Sequence, residues 1–268
     1  MPPRLKEQQS LSGQFKVAIR ECVAALKKKT EDSISEHDEI KSTSNSAVYF
    51  NNNEVLAERR FENNLLKVVY RVLSPLLYLR VIPELAVLPL KRAEIKDIIY
   101  GIKIKPLRKN VGTGESWEAN RFGGLTFSYE KETDVRNCFT TSQVFANREI
   151  WGIDATLLSY GEYIPSGAFE ELYKSALRHY LEVSKNLMNI KPPLIIEAGA
   201  TSVKNFTMAM PYNKYWGPIY DNEIKLRRKL ESFNDEDVDA LLLAIFEKFF
   251  DAAGERRPEK YGGFPSVK

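Results

Sequence analysis

Apolar residues recur along this chain at two spacings, helical and alternating, and the change between them marks its regions. Between residues 11 and 28, Phe15, Ala18, Ile19, Cys22 and Leu26 repeat at helical spacing. Lys27, Lys28 and Lys29 follow, where positive charge suits the negative end of a helix dipole. An amphipathic helix is predicted there. The stretch TEDSISEHDEIKSTSNS, residues 30–46, is polar and nearly free of apolar residues, and is predicted to be a linker. Residues 1–46 are therefore predicted to be an N-terminal helical appendage with a polar linker, and residues 47–268 a single α+β domain.

The next region is ambiguous. FENNLLKVVYRVLSPLLYL, from Phe61, fits either a helix stopped by Pro75 or two strands. VIPELAVLPL, with Pro83 and Pro89, reads as extended. Ile95, Ile98 and Ile99 space a short helix that Gly101 stops. Residues 105–124 carry Gly112, Gly114, Gly123 and Gly124 and read as a loop. Residues 125–158 alternate, and CFTTSQVFANREIWGID predicts strand, tight turn at Asn147-Arg148, and strand.

Two helices follow. Ser166 is the expected N-cap of the first. Phe169, Leu172, Tyr173, Ala176, Tyr180, Leu181 and Leu187 give its stripe, and Pro192 and Pro193 end it. Asn234 is expected to cap the second, with Asp235, Glu236 and Asp237 in its first turn and Gly254 as its stop. The predicted class is α+β, with central, mostly antiparallel strands flanked by helices.

Composition narrows the chemistry. With 268 residues, 43% hydrophobic and 28% charged, the chain has the make-up of an ordinary globular protein. A net charge of +3 makes no case for nucleic acid without local clustering. The two cysteines, Cys22 and Cys138, form no CxxC pair, and two histidines do not complete a structural zinc site, so neither metal nor cofactor is expected. Distant thiols suit a reducing, cytoplasmic setting. The longest apolar run, Ala240 to Phe246, has seven residues, too few to span a membrane.

KPPLIIEAGATSVKNFTMAMP, from Lys191 to Pro211, sets an apolar run against Glu197, Gly199, Thr201, Ser202 and Lys204. A phosphate loop needs a second glycine followed by lysine and a hydroxyl, and that spacing is absent. The stretch reads as strand, glycine turn, strand, with Glu197 as a strand-end carboxylate, solvated or paired locally. A metal-dependent hydrolase or nuclease using Glu197 and Asp154 as acids is an alternative, although a catalytic carboxylate needs a partner within hydrogen-bond reach.

Three clusters remain. Residues 91–109 hold seven basic residues against two acidic ones, a local excess of +5. They read first as a solvated face and second as a nucleic-acid grip through Lys103, Lys105, Arg108 and Lys109, with Trp117 and Phe122 placed to stack on bases. Lys225, Arg227, Arg228 and Lys229 precede acidic residues and are expected to pair locally. PYNKYWGPIYD, residues 211–221, gathers Tyr212, Tyr215, Trp216 and Tyr220. It is either a recognition surface or an ordered packed loop. His179 is expected as a half-buried helix residue and Cys138 as a small core residue.

SQVFANREIWGID, IPSGAFEELYKSALRHYL and KPPLIIEAGATSVKNFTMAMP resemble a region of bacterial proteins that begin with an AlbA-type or Schlafen-like nucleic-acid-binding domain. In those proteins a Q-x-F-R-N-G type hairpin precedes a long helix, a P-P-L step and a short strand. The resemblance covers residues 125–255, and the family's N-terminal domain is not recognisable in residues 1–60. It implies an accessory or sensing module of a bacterial regulatory or defence system and carries over no catalytic residue. The expected function is a non-catalytic interaction module that works with a protein partner, with direct nucleic-acid binding as the alternative.

Overall fold

A computed structural model describes residues 55–264 except 62–63, 71–74, 110–111, 113, 133–134, 213 and 260. The predicted appendage helix and linker lie outside the described residues. Contacts divide the chain into Met1–Asn52 and Asn53–Lys268, and the described residues fall in the second unit. It is α+β, as the pattern predicts.

The strands are β1 (Val55–Phe61), β2 (Asn64–Tyr70), β3 (Leu76–Pro83), β4 (Gly114–Asn120), β5 (Gly123–Glu132), β6 (Val135–Phe145), β7 (Ile150–Asp154), β8 (Tyr163–Pro165), β9 (Leu194–Thr201), β10 (Thr207–Met210), β11 (Lys214–Trp216) and β12 (Glu223–Leu230). The helices are α1 (Arg92–Ile99), α2 (Ser166–Asn186) and α3 (Asp235–Ala252). The large sheet runs β1-β2-β6-β7-β3-β9-β12, with β5 and then β4 branching from β6. All its pairs are antiparallel except β2 with β6. A small sheet has the order β11-β10-β8.

Of the two readings left open for residues 61–79, the strands are the outcome. β2 and β3 carry β-branched and aromatic residues and meet strand partners on β6, β7 and β9. Residues 114–120 are not loop but strand β4, in a hairpin with β5. The side chain of Asn120 closes that hairpin by accepting from Phe122 N–H (3.0 Å) and Gly123 N–H (2.9 Å). The 146–149 turn between β6 and β7 matches the predicted hairpin.

Period-two alternation sends Leu77, Leu79 and Val81 to the face that the helices cover. Phe169, Tyr173 and Tyr180 of α2 bury there completely, and Tyr173 Oη donates to the carbonyl of Gly199 at 2.6 Å. Phe169 stacks on Phe249 of α3 with centroids 4.8 Å apart. Each such buried phenylalanine stabilises the fold by about 1.5–3 kcal/mol relative to an exposed one. Asn234 caps α3 as expected, accepting from Asp237 N–H at 2.7 Å. Ser166 does not cap α2. It is the first helical residue, and its hydroxyl turns instead to the Ala209 carbonyl (2.7 Å) and Tyr261 Oη (2.7 Å), tying the helix start to β10. Among the described residues, no helix is long and apolar enough to cross a membrane.

Candidate functional site

Glu197 sits inside β9, not at its end. It lies in register with Arg80 of β3 and Arg227 of β12 on the face away from the helices. Arg80 occurs in the apolar run LLYLRVIP, and burying its charge there requires partners. Its Nε and Nη2 donate to Glu149 Oε1 at 2.9 and 2.7 Å, and Nη1 donates to Glu197 Oε1 at 3.0 Å. The guanidinium carbon also lies 4.5 Å from the centre of the Trp151 ring. Burial alone would lower the Arg80 pKa, but the charges of Glu149 and Glu197 outweigh it and raise the pKa. Glu197 Oε2 has no hydrogen-bond partner and stands 3.4 Å from Lys225 Nζ and 3.8 Å from Arg227 Nη1. The side chain of Glu197 is only 5% exposed. Both carboxylates are therefore committed to a charge network that joins β3, β9 and β12 to the turn before β7. A charged residue inside an apolar run was the sequence signal for it.

Asp154 belongs to the other face. It is in register with Leu77, whereas Glu197 is in register with Arg80, so the sheet separates the two acids. The Asp154 carboxylate accepts from Leu157 N–H (2.6 Å), Thr156 N–H (3.1 Å) and the Thr156 hydroxyl (3.0 Å) and holds the turn after β7. Burial raises its pKa, partly offset by the Leu157 hydrogen bond and the charge of Arg108. No cluster of three or more metal-ligating side chains occurs among the described residues. Gly199 has a packing role. A Cβ there would meet Tyr78 Oη at 2.7 Å and the carbonyl of Ile224.

The basic segment is pinned over residues 104–108. Ile104, Pro106 and Leu107 are buried between the charges. Lys105 N–H donates to His179 Nε2 at 3.0 Å, Ser142 Oγ donates to the Lys105 carbonyl at 2.7 Å, and Arg108 N–H donates to Thr140 Oγ1 at 3.0 Å. Arg108 Nη1 reaches Thr156 Oγ1 at 3.2 Å. Only Lys103 and Lys109 of the four are exposed. Trp117 is half-buried against Tyr100 at 5.4 Å, and Phe122 packs edge-on to Phe145. Half-buried His179 accepts with its imidazole, and its pKa is lowered by burial and then by the charge of Lys109. Cys138 is fully buried, and burial raises its thiol pKa.

The second basic cluster pairs mainly across strands rather than locally. Lys225 and Arg227 face Glu197, and Lys229 reaches Glu84 at 3.0 Å as well as its neighbour Glu231 at 3.4 Å.

The aromatic segment stands outward. Tyr212 is 94% exposed, Tyr220 77% and Tyr215 58%. Trp216 is half-buried, and its ring lies edge-on to Phe250 of α3 at 5.9 Å. β11 is an edge strand of the small sheet, paired with β10 only. Between the 215–220 segment and the end of α3 lies a cleft of about 390 Å³ that also takes in Asp251 and Glu255. Sequence reading missed these two acids, because only tertiary packing brings the end of α3 to the aromatic segment. No family model, curated protein or solved structure matches the chain.

Proposed function

We propose that this chain is a non-catalytic interaction module that docks a protein partner through Tyr212, Tyr215, Trp216 and Tyr220. The observation that carries this reading is the exposure of three tyrosines within nine residues, on and around an edge strand. Large aromatic side chains held in water are costly to leave uncovered, and Tyr and Trp are the residues that carry contact energy at interfaces. The setting we propose, the cytoplasm of a bacterium and a regulatory or defence system, rests on the resemblance of residues 125–255 alone. The test is a photo-crosslinking residue placed at 212, and separately at 220, in living cells. A discrete adduct to the same protein from both positions supports docking there. Absence of any protein adduct contradicts it.

Direct nucleic-acid binding is the second reading. It is favoured by Lys103 and Lys109, which are exposed and take part in no salt bridge among the described residues. Fluorescence anisotropy with labelled DNA and RNA across a salt series tests it. Binding that weakens with salt, and weakens again in Lys103→Ala/Lys109→Ala, supports the reading, with the salt slope falling by about 1–2. No binding at low salt removes it.

A further inference from the structure

We infer that the cleft between the 215–220 segment and the end of α3 receives a cationic side chain, lysine or arginine, from the protein partner. This rests on the docking reading above and adds the chemistry of the residue that seats there. Three features converge. Tyr215, Trp216 and Tyr220 line the cleft, and an aromatic face attracts a cation through its quadrupole. Asp251 and Glu255 line it too, and none of its lining residues is basic. The C-terminal end of α3, at Ala252 and Ala253, also opens into it. That end carries the negative pole of the helix, and the last turn of α3 holds no basic residue to neutralise it. An anionic ligand would meet two carboxylates and the same pole. Lys248 does approach Asp251, with Nζ at 4.0 Å, but both side chains are exposed and such a pair is weak. The carboxylate therefore remains open to an incoming cation.

The test uses the full chain, labelled with nitrogen-15, and three Gly-Ser peptides whose central residue is arginine, lysine or citrulline. The arginine and lysine peptides are expected to shift the Trp216 indole N–H and the Gly217 and Gly254 amides saturably, and the neutral citrulline peptide is not. Tyr220→Leu should weaken arginine-peptide binding by about two- to fivefold. Asp251→Asn/Glu255→Gln should weaken it by a similar factor. These positions are exposed, and an otherwise unchanged amide spectrum shows that each variant is folded. Equal shifts with citrulline, or none with arginine, would overturn the inference. The two proposals also separate. Crosslinks from position 212 with a partner affinity unchanged by Asp251→Asn/Glu255→Gln would keep the docking reading and remove the cationic one. Saturable arginine binding without any crosslinked protein would leave a cation-binding cleft but remove the protein partner as the source of the cation, and with it the docking reading.

Discussion

Lys103–Lys109 and Pro211–Asp221 are both short clusters of residue types that bind other molecules, and they meet different fates. In the first, apolar Ile104 and Leu107 alternate with the charges and enter the core, and the backbone bonds to His179, Ser142 and Thr140. In the second, the tyrosines stand in water while Trp216 and Ile219 anchor the segment. The contrast teaches that the residues between the candidate binders decide whether a cluster is free to bind. Interleaved apolar positions pull a basic segment inward. An edge strand and the loop after it leave aromatic residues in water.

Substitutions can break or sharpen this contrast. Glu197 is anchored in the same sense as the basic segment. Glu197→Leu leaves Arg80 short of a partner and should cost about 3 kcal/mol in urea unfolding. A change within the error of the measurement would show that the network holds nothing. Leu107 is 3% exposed, so Leu107→Ala should cost about 2–3 kcal/mol by the same measurement.

His179 supplies a smaller, pH-dependent effect. Its folded pKa lies below the ordinary value of 6.5, so the unfolded chain takes up the proton first. The contribution of His179 to stability is complete above about pH 6.5 and is lost as pH falls from there through the folded value. His179→Gln should remove that part of the slope, read as the difference between the two unfolding curves across the window. The smallest effect belongs to the aromatic loop. Tyr212→Ala/Tyr220→Ala should change stability by less than about 0.5 kcal/mol, as expected of exposed side chains. A loss comparable with that of Leu107→Ala would mean that the loop is packed rather than presented.

Much of this architecture is legible in the chain. The α3 cap at Asn234, the α1 triad Ile95, Ile98 and Ile99, and the β6–β7 hairpin all follow from spacing and turn chemistry, which are local. β4 was hidden because Gly114 and Gly123, read as breakers, each begin a strand of one hairpin. The position of Glu197 within its strand was hidden because its burial depends on Arg80, 117 residues away. Tyr212, Tyr215, Trp216 and Tyr220 could be picked out, but their exposure could not, since it depends on how the small sheet sits beside α3. Asp251 and Glu255 gave no sign of joining them for the same reason.

Hydrogen exchange on the full chain, with and without the protein crosslinked from position 212, compares the two clusters directly. Slowed exchange across residues 211–221 with none across 103–109 is the predicted result. Slowed exchange across 103–109 with residues 211–221 unchanged would contradict it and make the basic segment the contact surface.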